Sequence, residues 1–280
     1  LEGDIAAKEK DMKRIAIFCV NYNSYKELYH YLDSICVSAK EAEDVMKVDL
    51  FVADNTEQQP QDISYEARHI QIQVFPFHRN LGYFGAVGKM MQQVDTTVYD
   101  YCIISNVDLI LDKDMLMKLA EYPNNATTGW IAPQIWSQQE RRDRNPKIMN
   151  RYPLHKLKKL QTLFKYPLLY ALYTMTLYRR KKFQHHSAGV IYAGHGSFII
   201  LTQKFMEKCG PVDYPVFLFC EEIYIAEMCR QHQLTVEYLP TLKVNDMEHA
   251  STGHMPSRLY CRQNYDAISY IINRFYPPLS

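Results

Sequence analysis

Residues 99–111 read YDYCIISNVDLIL, a β-branched apolar run that is interrupted by Asn-Val-Asp at 106–108. The run predicts a buried strand, and the interruption places an amide and a carboxylate where that strand ends. Earlier apolar runs end in the same way, on Asn21 and on Asp54. In an α/β sheet the residues just past the carboxyl ends of parallel strands line one crevice, and ligands bind there. The sequence therefore predicts a ligand site at one edge of a sheet.

Strands and helices alternate outward from this stretch. The other strands predicted in the first half are RIAIFCVNY (14–22), VDLFVADN (48–55) and IQIQVFPF (70–77). Helices are predicted over residues 25–37, with Ser24 as the N-cap, and over residues 86–94. Alternation of this kind predicts an α/β fold with a Rossmann-like, mostly parallel twisted sheet flanked by helices.

The second half of the chain has a different order of elements. GVIYAGHGSFIILTQKFMEKCG (189–210) predicts a strand pair and a short helix, and LTVEYLP (234–240) predicts another strand. Helices are predicted over residues 221–233 and over residues 257–275, where PPLS ends the second one.

Composition indicates a folded protein without a membrane span. The seven cysteines are an odd number, form no CxxC pair and mostly lie in apolar segments, so we expect reduced thiols and a cytoplasmic location. The first residues, LEGDIAAKEKDMKR, are charged and lack the apolar stretch of a signal peptide. No run approaches the roughly 20 apolar residues that cross a bilayer.

Seven short blocks occur in a fixed order. They are CVNYNSY (19–25), FVADN (51–55), FHRNLGYFGA (77–86), IISNVDLIL (103–111), GHGSFIIL (194–201), FLFCEEIYI (217–225) and DMEH (246–249). The ordered set resembles the family 2 glycosyltransferases of GT-A fold, particularly the rhamnosyltransferase-like members that build bacterial surface polysaccharides. The resemblance covers residues 14–54, 80–133 and 194–252.

The resemblance implies an inverting transfer of a sugar from a nucleotide-diphosphate donor to a hydroxyl of a glycan or lipid-linked acceptor. It implies three parts: a nucleotide-sugar-binding half (1–136), a basic helical insertion (137–188) and an acceptor-binding half with a C-terminal helix (189–280). A sugar nucleotidyltransferase or a dehydrogenase needs a glycine-rich loop after the first strand, and NYNSYKE has no glycine. The alternatives are a catalytically silent module that keeps the fold for membrane or partner binding and, despite the missing glycines, a sugar nucleotidyltransferase.

A divalent cation stabilises the charge that develops on a departing diphosphate. Asp108 stands where the family carries its metal-binding DxD or NxD motif, so the resemblance makes it a ligand of Mg²⁺ or Mn²⁺, with Asn106 in support. His249 matches a late histidine that in relatives completes the metal shell or contacts the diphosphate. The alternatives are a solvated turn at Asp108 and an ordinary surface histidine at His249.

An attacking acceptor hydroxyl must lose a proton, which a nearby carboxylate can accept. Glu221 and Glu222 match the acidic pair of the family, so the resemblance makes Glu222 the general base and Glu221 a residue that positions the acceptor or its partner. Carboxylates are also favoured at any helix start for structural reasons, and that alternative stays open for both.

The donor nucleotide is assigned by the resemblance to three loops. Asn21, Tyr22 and Asn23 would line the base pocket, Asp54 would accept hydrogen bonds from the base, and Asn80 with Gly82 would shape the backbone under the ribose. Gly82 would alternatively serve only a tight turn. Relatives often carry an asparagine where this chain has Gly88 or Lys89, so donor contacts in that loop are not assigned.

Residues 137–188 carry a net charge of +11, from thirteen Lys/Arg and two acidic residues, in a chain whose total is +1. Apolar residues recur in this segment at three- and four-residue steps from Leu157 to Met175, and Pro167 kinks or restarts the helix. An apolar stripe flanked by cations predicts peripheral contact with the inner face of the plasma membrane. The alternative is a helical hairpin that packs on the core. Nucleic acid is not expected, because the aromatic residues are interleaved with aliphatic ones.

Overall fold

A mixed sheet with helices on both faces organises the chain. The computed structural model describes residues 12–123, 125–176, 185–247 and 257–277. The strands within them are β1 (Lys13–Asn21), β2 (Met46–Asp54), β3 (Ile70–Pro76), β4 (Tyr101–Asn106), β5 (Leu109–Leu111), β6 (Thr128–Ser137), β7 (Arg142–Asp143), β8 (Gly189–Ile191), β9 (Phe198–Thr202) and β10 (Thr235–Asp246). The described helices are α1 (Tyr25–Glu41), α2 (Tyr83–Met91), α3 (Met115–Glu121), α4 (Leu154–Lys165), α5 (Pro167–Thr176), α6 (Gln203–Cys209), α7 (Glu221–Gln231) and α8 (Ser257–Phe275).

The strands follow the order β3-β2-β1-β4-β9-β6-β10-β5, with β7 beside β6 and β8 beside β10. β3, β2, β1 and β4 run parallel, and β10 is parallel to β6. β9 is antiparallel to both of its neighbours, β4 and β6. In the register, Asn21 of β1 pairs with Asp54 of β2, and the adjacent Val20 pairs with Asn106 of β4. The carboxyl ends of these three strands therefore lie side by side.

The sheet is buried on both faces, as expected for parallel strands covered by helices. Along β1, Ile15 and Ile17 belong to one core layer, while Ala16 and Phe18 belong to the other. The first layer includes the buried faces of α1 and α3, and the second includes those of α2, α6, α7 and α8. A continuous apolar run such as β1 follows from this two-sided burial.

Two strands differ from the sequence prediction. The stretch 99–111 is not one interrupted strand, because β5 leaves the line of β4 and pairs antiparallel with β10. The strand β6, which the sequence analysis did not assign, lies inside the sheet although it contains Gly129 and Pro133. Proline is unusual in a central strand because it cannot donate to the ladder. The β6–β10 register shifts just beyond Pro133, and that irregularity accommodates the proline.

The basic insertion is tied to the sheet before its helices begin. β7 pairs with β6, and Arg144 Nη1 lies 2.9 Å from Asp246 Oδ2 at the end of β10. Pro167 opens α5 as its first residue, where the missing N–H costs no hydrogen bond. None of the described helices is both long and apolar enough to cross a bilayer.

A fully buried carboxylate joins the insertion to the rest of the fold. Glu227 Oε1 lies 2.6 Å from Arg151 Nε and accepts a hydrogen bond from the Tyr192 hydroxyl at 2.7 Å. Glu227 Oε2 accepts from Arg230 Nε at 2.7 Å. The Arg151 guanidinium also lies 3.8 Å from the centre of the Tyr276 ring. These contacts compensate the buried charge, and the hydrogen bonds lower the pKa of Glu227 although burial alone would raise it.

Candidate active site

A buried polar network joins the ends of β1 and β2. Asn21 and Asp54 are at most 1% exposed, and Asn21 Nδ2 donates to Asp54 Oδ1 at 3.0 Å. The Tyr25 hydroxyl donates to Asp54 Oδ2 at 2.8 Å, and the Thr56 N–H donates to Asp54 Oδ1 at 3.1 Å. These bonds fix the loops that follow both strands. The base-pocket role of Asn21 and the contact between Asp54 and a base stay predictions.

Tyr22 and Asn23 lie at the exposed rim of the same edge. Tyr22 is 37% exposed, so its ring offers a face on which a planar base can stack. Asn23 has a φ of 57°, and its N–H donates to Thr56 Oγ1 at 3.0 Å. The left-handed backbone at Asn23, which asparagine tolerates better than most residues, turns the chain from β1 into α1.

The turn before α2 is fixed by two amide side chains. Asn80 Oδ1 accepts from the Gly82 N–H at 3.1 Å, and Asn55 Nδ2 donates to the Gly82 carbonyl at 3.2 Å. Gly82 has a φ of 74°, and a Cβ there would lie 2.2 Å from the Phe217 carbonyl oxygen. Glycine is therefore required by the backbone conformation and by the close approach of the loop before α7.

The Asn-Val-Asp interruption lies where β4 gives way to β5. Asn106 is the last residue of β4, and its N–H donates to the Ser197 carbonyl at 2.9 Å. Asp108 is partly buried, and its carbonyl oxygen accepts from the Met247 N–H, just past β10, at 3.1 Å. His249 lies outside the described residues, so its role as a metal ligand stays a prediction.

The two acidic residues predicted for catalysis open α7 and differ in environment. Glu221 is 8% exposed, and its Oε1 accepts from the Phe219 N–H at 2.8 Å. Burial, followed by the charge of Glu222, raises the pKa of Glu221 to about 8. At neutral pH Glu221 therefore holds a proton most of the time and cannot take one from an acceptor. Glu222 is partly exposed and faces Gly196, where an added Cβ would lie 3.7 Å from Glu222 Oε2.

Tyr83, at the start of α2, lies near both the candidate metal ligand Asp108 and the acidic pair that is predicted to act in proton transfer. Its hydroxyl oxygen is buried and has no hydrogen-bond partner among the described residues. Burial raises the pKa of Tyr83 well above its ordinary value, and the charges of Glu221 and Asp108 contribute to the shift. Both carboxylates therefore lie close enough to act electrostatically on the same hydroxyl. A buried donor without a partner is costly, which makes this hydroxyl a candidate to contact a ligand.

A polar cavity of about 580 Å³ is lined mainly by residues 142–153 of the basic insertion, with Lys156 and His186. Tyr152 lines this cavity, and the charge of Glu222 raises the pKa of Tyr152 after the larger effect of burial. Lys147 also lines it, and the charge of Lys147 acts on Glu221. Two lining side chains of the cavity, Tyr152 and Lys147, are thus close enough to the acidic pair at the start of α7 to interact with it electrostatically.

His195 is occupied inside the fold. The backbone N–H of His195 donates to Asn145 Oδ1 at 2.7 Å, and its ring Nδ1 accepts from the Ser197 N–H at 3.2 Å. Burial lowers the pKa of His195 well below its ordinary value, and Lys147 and two arginines lower it further. The backbone of His195 is thus held by Asn145 and its ring by Ser197, so this histidine has structural contacts inside the fold.

The residues at this edge fit a metal that binds together with its substrate. Among the described residues there is no group of three His, Cys, Asp or Glu side chains arranged to hold a metal ion. The charge of one carboxylate, that of Asp108, contributes to the raised pKa of Tyr83, after the larger effects of burial and of Glu221. Mg²⁺ in phosphate-transfer sites is commonly held by one or two carboxylates plus substrate phosphates and water. The donor set therefore fits a divalent cation that a diphosphate helps to bind.

The described candidates lie at one edge of the sheet and are linked through Gly82 and Tyr83. The β2 end contacts Gly82 through Asn55, and the next residue, Tyr83, lies near Asp108 and Glu221. Sequence reasoning missed Tyr83. Its signal was an aromatic residue directly after the glycine of the turn, which the sequence pattern did not distinguish from an ordinary core residue.

Comparisons with known proteins identify the family and the fold. The family model described as Glycosyl transferase family 2 matches residues 16–187. The mannosyltransferase PcManGT from Pyrobaculum calidifontis, solved in complex with GDP-Man and Mn²⁺, is 10% identical with a TM-score of 0.52, over 94% of this chain and 71% of its own. GalNAc-T7, solved with UDP, GalNAc and Mn²⁺, is 11% identical with a TM-score of 0.53, over 94% of this chain and 48% of its own. The chain thus spans about half the length of GalNAc-T7. A search of curated protein sequences found no match to this chain. At these identities the likeness shows the fold, and it confirms the predicted α/β GT-A architecture.

Proposed function

The chain belongs to glycosyltransferase family 2, and from this we propose that it transfers a hexose-type sugar, with inversion, from a nucleotide-diphosphate donor. The acceptor is a hydroxyl of a glycan or of a lipid-linked glycan. We place the enzyme in the rhamnosyltransferase-like branch and at the cytoplasmic stage of surface polysaccharide synthesis, on the ordered blocks of its sequence.

The observation that carries this proposal is the convergence on Tyr83. Asp108, between β4 and β5, and Glu221, at the start of α7, come from distant parts of the sequence, yet the charges of both contribute to the raised pKa of one buried hydroxyl. A donor diphosphate bound near Asp108 would therefore lie within reach of the proposed general base, Glu222. An inverting transfer needs both groups at one site, because the attacking hydroxyl and the leaving diphosphate must then lie on opposite sides of the anomeric carbon.

On the donor side, the chain supplies an exposed ring at Tyr22 for the base and a rigid turn at Gly82 under the ribose. Asp108, with Asn106 and His249, would hold Mg²⁺ or Mn²⁺. When bound, such a cation neutralises the charge that develops on the departing diphosphate. The Tyr83 hydroxyl, which has no partner among the described residues, would donate a hydrogen bond to a diphosphate or sugar oxygen.

On the acceptor side, Glu222 would accept the proton of the attacking hydroxyl. The raised pKa of Glu221 keeps that neighbour protonated at neutral pH, so Glu221 would donate to the acceptor or to Glu222 and position it. An acceptor hydroxyl held by Glu222 attacks from the side opposite the diphosphate, and a single displacement of this kind inverts the anomeric centre.

The test is release of nucleoside diphosphate from a panel of nucleotide sugars with Mg²⁺ or Mn²⁺. A donor that binds the native state also raises the melting temperature by mass action, which identifies the donor before the acceptor is known. Asp108→Ala and His249→Ala should each remove the metal-dependent part of donor binding, whereas Asp114→Ala, an exposed carboxylate paired with Lys118, should not. Donor binding without release under any condition would favour a catalytically silent module.

A further inference from the structure

The α4–α5 hairpin divides the apolar stripe of the basic insertion into two parts with different surroundings. On α4, Leu157 is buried, while Leu160 and Phe164 pack against the core cluster that includes α8 residues. This part of the stripe is therefore used inside the fold. On α5, no side chain is buried.

The exposed part of the stripe forms one face of α5. Leu168, Leu172 and Met175 are 87%, 58% and 84% exposed, and their spacing of four and three residues places them on one side of the helix. The opposite side is anchored by Tyr170, whose ring centre lies 5.2 Å from that of Phe164 and 5.5 Å from that of Tyr260. The hairpin therefore holds α5 with its apolar face directed away from the body of the protein.

A ten-residue helix with no buried side chain is marginal in water. Its exposed apolar face is flanked by a groove of about 580 Å³ between α4 and α5, which is lined by Lys156, Lys158 and Lys159 together with leucines and Tyr173. Neither α4 nor α5 contains an acidic residue. The face thus combines protruding apolar side chains with uncompensated positive charge.

We propose that the apolar face of α5 and the lysines of α4 form a docking surface for an anionic lipid membrane. The apolar side chains would enter the boundary between headgroups and acyl chains, while the lysine amines would contact lipid phosphates at headgroup depth. A second copy of the chain does not fit this surface, because a symmetric contact would place the lysines of one copy against those of the other. Residues 177–184, which follow α5 directly in the sequence, add four cations and no acidic residue.

The test is co-sedimentation of the full chain with vesicles of phosphatidylcholine alone or with added phosphatidylglycerol. Binding is expected only with the anionic lipid, and it should weaken in about 1 M salt, where the screening length falls to about 3 Å. Lys158→Gln with Lys159→Gln should lower the partition coefficient on the order of fivefold for each lysine. Lys40→Gln with Lys113→Gln, two exposed lysines elsewhere, is the matched control and should leave binding unchanged.

The apolar face is tested by replacing Leu168, Leu172 and Met175 together with glutamine, which should abolish binding without changing the melting temperature. The matched control replaces the exposed Val37, Val98 and Val190 with glutamine and should bind as the parent does.

In a Leu168→Trp variant, the fluorescence emission of the introduced tryptophan should shift to shorter wavelength when anionic vesicles are added. The proposal would be overturned if the same fraction of protein sedimented with neutral and with anionic vesicles. It would also be overturned if the variant with all three α5 substitutions bound as the parent does. Binding to an acidic protein in the absence of any vesicle binding would also overturn it and assign the surface to a protein partner.

Discussion

Replacing Glu221 with glutamine should make the protein more stable at alkaline pH. Glu221 is buried, and its pKa rises from 4.5 to about 8 because burial and the charge of Glu222 disfavour its ionised form. Between these two pH values the folded chain holds a proton that the unfolded chain has released. The free energy of unfolding therefore falls as pH rises through this window and levels off above about 8. Glutamine has no proton to lose, and its Oε1 can still accept from the Phe219 N–H.

The size of the effect follows from the same shift. At about 1.4 kcal/mol for each pH unit, the difference between 4.5 and about 8 corresponds to a ceiling of about 5 kcal/mol. Urea unfolding of both proteins should give equal stabilities near pH 4.5, which is the internal control, and a gap that widens steadily up to pH 8. Parallel pH profiles for wild type and Glu221→Gln across this window would refute the argument that Glu221 is a buried, protonated acid.

Three further substitutions separate chemistry, ligand contact and structure. Glu222→Gln should leave donor binding in place while transfer falls by roughly 10² to 10⁴, and a product of retained configuration by NMR would contradict the proposed mechanism. Tyr83→Phe should leave stability unchanged or raise it by about 1 kcal/mol, because the hydroxyl has no described partner, while calorimetry should show donor affinity falling roughly tenfold. Arg151→Gln should lower the free energy of unfolding by about 1 to 3 kcal/mol, less than for a fully buried pair because Arg151 is 35% exposed. Arg262→Gln, which alters an exposed ion pair, should change it by less than about 0.5 kcal/mol.

Much of the fold could be predicted because the sequence carries its own periodicity. The continuous apolar runs of β1 and β2 report burial on both faces, and the polar residues that end them mark the carboxyl edge of the sheet. Local signals also placed α7 with its two acidic residues at the start. The ordered blocks then identified a family that the family model confirms.

The remaining features depend on contacts that a local pattern does not encode. The sequence analysis assigned no strand to β6, which contains a proline, and only the register shift against β10 shows how the sheet accommodates that residue. The boundary between β4 and β5 depends on pairing with β10, more than a hundred residues away. Tyr83 resembles a core aromatic in sequence, and its link to Asp108 and Glu221 exists only after three loops have met. The same limit applies to the insertion, where the spacing of apolar residues was alike on α4 and α5 but their burial was not.

The proposed membrane surface and the proposed acceptor site share a side chain. Lys156 lines the apolar groove between α4 and α5 and also the polar cavity that contains Tyr152 and Lys147. Its amine lies 3.6 Å from the centre of the Tyr152 ring, and Tyr152 lies close enough to Glu222 to respond to its charge. A membrane contacted by α5 would therefore lie beside this polar cavity, which we propose as the opening through which an acceptor reaches Glu222. If both proposals hold, a lipid-linked acceptor would be presented at that opening, and loss of the α5 apolar face should slow transfer to a vesicle-borne acceptor while leaving transfer to a water-soluble analogue unchanged. Equal slowing of both reactions would show that α5 acts on the catalytic site itself rather than on delivery of the acceptor.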